Sequence, residues 1–221
     1  MALPDPEQAR PLVLPDGSRH RATVFLRAII DHPNIEVGAF TYAHDSTEPE
    51  DFAVRLAPYL FPGAPECLRI GKFCQIAEGV RFVTATANHP MDGISTYPFA
   101  VFDEARFSSY RRSLPRGRDT VVGHDCWLGR DAMLLPGATL GNGVVVGAGA
   151  VVGGTVPDYA VVAGNPATIV RMRFSNAEIA TLNRLAWWDW PVARIEAALA
   201  AIEGGDVQAL ERFHAEVTLR R

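Results

Sequence analysis

Residues 122–157 divide into six-residue units: VGHDCW, LGRDAM, LLPGAT, LGNGVV, VGAGAV and VGGTVP. The first position holds Val122, Leu128, Leu134, Leu140, Val146 and Val152, all aliphatic. The second is glycine in every unit but LLPGAT. The fifth, Cys126, Ala132, Ala138, Val144, Ala150 and Val156, is always small or β-branched. A helix spaces its apolar residues three and four apart and a plain strand spaces them two apart, so a period of six belongs to neither. It suits a short strand followed by a sharp turn, with the second-position glycine supplying the unusual backbone angles. The first and fifth side chains then point inward and stack on their equivalents in neighbouring coils. That is the pattern of a parallel β-helix solenoid.

Outward from this block the period weakens. IGKFCQ, IAEGVR and FVTATA begin at Ile70, Ile76 and Phe82, and an isolated unit, VGAFTY, begins at Val37. The repeat is thus interrupted twice, at about residues 43–69 and 88–121. Upstream, ATVFLRAIID (22–31) predicts a short helix stopped before Pro33. After Gly164-Asn165-Pro166 the pattern turns helical. Ser175 is placed as an N-cap with Glu178 in capping-box spacing, followed by Ile179, Leu182, Leu185 and Ala186. A second helix follows Pro191, with Ile195, Leu199 and Ile202 on one face and Gly204-Gly205 at its end, and a third covers 206–216. These helices are expected to cover the open end of the solenoid, which otherwise presents unpaired strands. Trp187, Trp188 and Trp190 are expected to anchor them. The expected organisation is an extension with a short helix over 1–33, the repeat over 34–170 with its excursion at 88–121, and a helical segment over 171–221.

Composition fits a globular chain, with 48% hydrophobic and 21% charged residues among 221. The formal net charge of −4 argues against a nucleic-acid partner. Cys67, Cys74 and Cys126 cannot all pair, so a disulfide framework is not expected. Cys74 and Cys126 occupy the compact fifth position and read as core. No signal-like apolar stretch opens the chain, and no run is long enough to span a bilayer, so a cytoplasmic location with no membrane partner is expected.

The second interruption reads NHPMDGISTYPFAVFDEARFSSYRRSLPRGRDTV. Its aromatics, Tyr97, Phe99, Phe102, Phe107 and Tyr110, argue for packing against something, a neighbouring subunit being the obvious candidate. His89 stands where the chain leaves the coil, held between Asn88 and Pro90. Imidazole is the natural general base near neutral pH; a purely local hydrogen bond is the alternative reading.

Several segments together resemble the xenobiotic acetyltransferase branch of the hexapeptide-repeat acyltransferases, which includes type B chloramphenicol and streptogramin A (virginiamycin) acetyltransferases. They are NIEVGAFTY, IGKFCQIAEGVRF, ANHPMDGISTYPF, VVGHDCWLGRDAMLLPGATLGNG, AVVAGNPATIVRMRF and WWDWP. The resemblance implies a left-handed parallel β-helix and a homotrimer with active sites between subunits. It implies acetyl transfer from acetyl-CoA, as co-substrate, to a hydroxyl of a streptogramin A or chloramphenicol type acceptor, with His89 as general base and no metal. It places Trp127, Arg130, Ala148, Gly153, Gly154 and Arg171 at the coenzyme, and Tyr42, Asn88, Tyr97 and Phe99 at the acceptor. The chain departs from the pattern at the extra residue Ile94 and after Phe99. It also lacks cations that many relatives carry at the positions of Gly154 and Thr168, which leaves Arg171 and Arg173 for the coenzyme phosphates.

Three other readings compete. A sugar or polysaccharide O-acetyltransferase would use the same chemistry, although Phe99, Phe102 and Phe107 favour a drug-like alcohol. A non-catalytic solenoid is opposed by the NHPMDG segment. A zinc-dependent carbonic-anhydrase-like enzyme needs three histidine ligands. Of His20, His32, His44, His89, His124 and His214, only His89 and His124 lie near the main coil. His124 is expected at a coil turn facing solvent or the coenzyme cleft.

Overall fold

The computed structural model describes residues 2–113 and 117–219. The chain opens with β1 (Thr23–Phe25), β2 (Ile35–Val37), β3 (Tyr42–His44), α1 (Phe52–Leu56), β4 (Leu68–Ile70), β5 (Gln75–Ile76) and β6 (Arg81–Phe82). The excursion carries a 3-10 turn at Phe99–Phe102 and α2 (Glu104–Ser113). The repeat then gives β7 (Thr120–Val122), β8 (Trp127–Leu128), β9 (Met133–Leu134), β10 (Thr139–Leu140), β11 (Val145–Val146), β12 (Val151–Val152) and β13 (Thr155–Val156). A hairpin of β14 (Ala160–Gly164) and β15 (Ala167–Met172) follows, then α3 (Asn176–Leu185), α4 (Val192–Gly204) and α5 (Val207–Leu219).

Three sheets form the walls. The first runs β1-β3-β5-β8-β11-β14-β15, the second β13-β10-β7-β4-β2, and the third β12-β9-β6. Successive strands of the repeat visit the second, first and third sheets in turn, so each coil is a triangle and the stack is a prism. Register advances by one coil of three units: Thr139 lies beside Val121, Val145 beside Trp127 and Val151 beside Met133, all parallel. First- and fifth-position side chains fill the interior. Cys126, Leu128, Ala132, Leu134, Ala138 and Val144 are all 0% exposed, and each buried leucine contributes about 1.5–3 kcal/mol. The thiols of Cys74 and Cys126 donate to Gly123 O and Gly141 O, both at 3.1 Å.

Glycine at the second position has a different job from the one expected. In most units the left-handed turn residue is the fourth: Phe40, Phe73, Asp125 and Asp131 have φ of 63°, 59°, 55° and 57°. The second-position glycines are instead places where coils touch. A Cβ on Gly71 would lie 2.4 Å from Gly123 O, and one on Gly123 would lie 2.6 Å from Gly141 O. A further correction concerns VGGTVP. Val156 pairs with Leu140, a first-position residue, because only Gly153 and Gly154 separate β12 from β13. The unit is therefore shortened, and Val156 does not occupy a fifth position.

The expected helix over 22–31 is also absent. Thr23–Phe25 pairs antiparallel with β3, and a 3-10 turn at Leu26–Ala28 follows. A ten-residue helix is marginal by itself. Here the edge of the first sheet offers hydrogen bonds, and the interior buries Val24 and Leu26. At the other end the capping box of Ser175 and Glu178 forms, and Gly205 ends α4 at φ 68°. Trp187 and Trp188 are buried between the helices and the coil. Trp188 stacks on His124 with centroids 5.2 Å apart. His124 thus stands at a coil turn as expected, half-buried, with one face of its ring covered by Trp188 of the helical segment. Burial lowers its pKa, and its Nδ1 accepts the Lys72 N–H at 2.9 Å.

Candidate active site

One outward row crosses the first sheet. Strand register puts Tyr42 beside Gln75, Gln75 beside Trp127, Trp127 beside Val145, Val145 beside Val161, and Val161 beside Arg171. Alternation along a strand sends neighbouring residues to opposite faces. Hence Ala43, Ile76, Leu128, Val146 and Val162 line the interior while Trp127, 52% exposed, stands outward. Tyr42, Trp127 and Arg171 were expected at the acceptor and coenzyme, and they share this face. Gln75 was missed. Tyr42, Gln75, Trp127 and Val145 are all sixth residues of their units, so the phase of the repeat would have found it.

Arg130 and Ala148 follow β8 and β11 at the edge between the first and third sheets. They stack corner on corner, with Gly149 N donating to Arg130 O at 2.8 Å. Arg130 is ion-paired with Glu78 at 2.9 Å and Asp131 at 3.6 Å. Hydrogen bonds from Ser46, and then the Arg130 charge, hold Glu78 below the usual carboxylate range. Arg171 is exposed, and among the described residues no carboxylate pairs with it. Arg173 is unavailable for phosphate. It donates to Gly143 O at 2.6 Å, lies 3.8 Å from Asp125, and sits 5.5 Å from the ring centroids of Tyr159 and Phe174. Gly153 and Gly154 lie apart from this set, exposed at the edge between the third and second sheets.

That last edge is where the excursion leaves, after β6 of the third sheet and before β7 of the second. A 3-10 turn at Ala85–Ala87 carries the chain to Asn88, whose φ and ψ of −82° and 157° send His89 outward. His89 is exposed, and its Nδ1 lies 3.1 Å from Thr96 O. A carbonyl oxygen only accepts, so Nδ1 carries the proton. The neutral ring then keeps its lone pair on Nε2, the tautomer a base needs. Tyr97 packs on Phe99 and Phe102, with centroids 4.7 and 5.7 Å away. The excursion nevertheless leaves Met91, Ile94, Phe99 and Phe102 exposed. Asn88 is exposed beside His89. In a triangular prism the first sheet lies opposite the third–second edge. One chain therefore presents its excursion base and its Tyr42–Trp127–Arg171 wall on opposite sides.

An open cavity of about 410 Å³ adjoins Tyr42, lined by Pro4, Pro11, Leu12, Thr23, Phe25 and His44 as well. Its walls are mainly apolar. His44 and His20 stack with centroids 5.7 Å apart, and both Nδ1 atoms lie near Thr23 Oγ1.

The repeat and its three-sheet prism define a hexapeptide transferase. Residues 119–154 match the family described as bacterial transferase hexapeptide (six repeats). The chain is 39% identical to a chloramphenicol acetyltransferase of Agrobacterium fabrum over 188 residues, 83% of this chain and 89% of that protein. It is also 39% identical to a virginiamycin A acetyltransferase of Staphylococcus aureus over 211 residues, 95% of this chain and 93% of that protein. A hexapeptide-repeat acetyltransferase of Vibrio cholerae, solved with acetyl coenzyme A, aligns with a TM-score of 0.43 at 22% identity, covering 65% of this chain and 62% of that one. The chain belongs to the xenobiotic acetyltransferase family of hexapeptide-repeat acyltransferases. It is an acetyltransferase.

Proposed function

We propose that this protein moves acetyl from acetyl-CoA directly to a hydroxyl of a streptogramin A or chloramphenicol type acceptor, with His89 as general base. The carrying observation is the His89 Nδ1 contact with Thr96 O at 3.1 Å, which leaves Nε2 as the basic nitrogen. An alcohol that keeps its proton is a poor nucleophile. Nε2 takes that proton as the oxygen attacks the thioester carbonyl, and the thiol of CoA leaves. General-base assistance of this kind is worth about 10²–10⁴-fold in rate.

The sites form between subunits of a homotrimer of left-handed coils. Support comes from the placement of His89 and the Trp127 wall on opposite sides of one chain, and from the apolar side chains the excursion leaves exposed. The coenzyme runs along the first-sheet wall of one subunit, past Trp127, Ala148 and Arg171, with Arg130 at its edge. Gly153 and Gly154, which lie at the excursion edge, meet it from the subunit that supplies His89. Arg171 is the guanidinium free to pair with phosphate. The acceptor lies between Tyr42 and the segment Asn88, Tyr97 and Phe99. Proline, leucine, phenylalanine and tyrosine around the Tyr42 cavity suit a drug-like alcohol better than a sugar, which is held by carboxylates and amides.

Thiol release from acetyl-CoA, measured with streptogramin A, chloramphenicol and a panel of simple sugars, tests this reading. Turnover is expected with one of the two antibiotics and loss of about 10²–10⁴-fold in a folded His89→Ala variant. Turnover only with sugars would overturn the acceptor, and an active His89→Ala enzyme would overturn the base.

A further inference from the structure

Glu66 is a carboxylate only 1% exposed. Its Oε1 accepts the Thr86 N–H at 3.1 Å, and its Oε2 has no hydrogen-bond partner among the described residues. A buried, half-satisfied carboxylate is expensive to keep. Its surroundings suggest what it does. Thr86 is the middle residue of the 3-10 turn that runs straight into Asn88 and His89. The returning limb of the excursion reaches the same spot at Gly117. A Cβ there would lie 2.4 Å from Ala85 Cβ and 3.2 Å from Glu66 Oε2. Both limbs are therefore in contact across this one side chain.

Neighbouring contacts extend the join. Cys67 N donates to Asp119 Oδ1 at 2.8 Å, and Arg69 Nε donates to Asp119 Oδ2 at 3.1 Å, tying the returning limb to β4. Thr86 Oγ1 donates to Tyr59 O, and Thr84 Oγ1 lies 2.8 Å from Thr86 Oγ1, tying the departing limb to the first interruption. Asn34 Nδ2 donates to Glu66 O at 3.0 Å and fixes the backbone that carries the carboxylate.

We propose that Glu66 is a positioning residue for His89. It clasps the departing and returning limbs at the base of the excursion and so sets the direction in which the imidazole leaves the coil. This rests on His89 being the general base. The clasp needs an acceptor for Thr86 N–H and a side chain that fills the space beside Gly117. Glutamine supplies both; alanine supplies neither.

The test uses full-length enzyme, acetyl-CoA, and whichever of streptogramin A and chloramphenicol is turned over. Glu66→Ala is expected to lower kcat about ten- to hundredfold, as misplacement of a catalytic group by an ångström does, with KM for acetyl-CoA unchanged. Glu66→Gln is expected to stay within about threefold of wild type, since it keeps the Thr86 acceptor and the geometry. Amide hydrogen exchange needs no acceptor and reads the clasp directly. Thr86 N–H is expected to be protected in wild type and Glu66→Gln, and to exchange faster in Glu66→Ala. If Glu66→Ala does not fold, Gly117→Ala, which presses on Ala85, is expected to lower kcat in the same way. Wild-type kcat in Glu66→Ala and Gly117→Ala beside an inactive His89→Ala would overturn the positioning role alone. An active His89→Ala would overturn the general-base reading and this role with it. Unprotected Thr86 N–H in wild type would overturn the clasp whatever the acceptor.

Discussion

Replacing Gly123 by alanine probes the contact between coils. The added Cβ would lie 2.6 Å from the carbonyl carbon and oxygen of Gly141 and 2.8 Å from Asn142 N. Ordinary contact begins near 3.4 Å, so each pair would have to open by most of an ångström. The neighbours are backbone atoms and have no rotamer to change. They are also pinned in place. Gly123 N donates to Leu140 O at 2.9 Å, His124 N to Asn142 Oδ1 at 2.9 Å, and Gly143 N to His124 O at 2.7 Å. Overpacking costs about 1–3 kcal/mol, and a rigid neighbour puts this case near the upper figure. At about 2–4 °C per kcal/mol for a chain of this size, the melting temperature falls by roughly 6–12 °C. Gly204→Ala is the counterpart. It sits in α4 with nothing within 4 Å of the new Cβ, and it gains about 0.5–1 kcal/mol from helix propensity. Thermal melts followed by far-UV circular dichroism at matched concentration compare the two with wild type. A Gly123→Ala protein that melts with wild type would refute the stacking argument.

Trp127→Ala is expected to raise KM for acetyl-CoA about tenfold and to leave the melting temperature unchanged, because the indole is 52% exposed; steady-state kinetics and a melt read both. Burial pushes the Asp125 carboxyl up to about 6, against a smaller opposing pull from Arg173. A native pKa above the unfolded one means stability is greatest below the unfolded value and is lost as pH rises through about 6, so Asp125→Asn is expected to flatten the fall in melting temperature between about pH 4 and 7. Ser175→Ala removes the capping box of α3 and is expected to cost about 1 kcal/mol by denaturant titration.

The prism was legible because its cause is local and repeated. An aliphatic residue at each unit's first position and a small one at its fifth are what a narrow triangular interior demands. Glycine was harder to interpret. From one sequence, a second-position glycine could serve a left-handed turn or a close approach, and only the stacked coils separate the two. Phe40 and Phe73 show why composition misleads here, since bulky residues hold the left-handed position at φ 63° and 59°. The strand at Thr23–Phe25 was read as a helix because its periodicity is ambiguous over ten residues. What decided it was a distant edge, β3, which no local window contains. In the candidate site, Trp127 and Tyr42 could be found by resemblance, and Gln75 by phase. Glu66 gave no signal at all. Its role depends on residues Thr86 and Gly117, which the chain brings together only after the excursion has closed.

Both interruptions lie where the chain next enters the second sheet, and neither disturbs the ladder. Val37 remains beside Ile70, and Ile70 beside Val122. A long insertion at a corner adds little closure cost, because that cost grows only with the logarithm of length. His89 thus sits on an inserted limb at one edge, while the Tyr42–Gln75–Trp127 wall belongs to the repeat on the opposite side. This separation makes a strict prediction about mixtures. In an assembly of His89→Ala and Trp127→Ala chains, a site that takes His89 from one subunit and the wall from another is intact when the first is Trp127→Ala and the second is His89→Ala. With equal, random mixing that pairing occurs at about a quarter of the interfaces, half times half, whatever the ring size. Assayed with acetyl-CoA well below its KM, where the tenfold rise in KM leaves Trp127→Ala at about a tenth of wild type, co-refolded mixtures are therefore expected to recover about a quarter of wild-type turnover. A site contained within one chain would gain nothing on mixing, so activity no higher than the mean of the two separate variants would refute the shared-site reading.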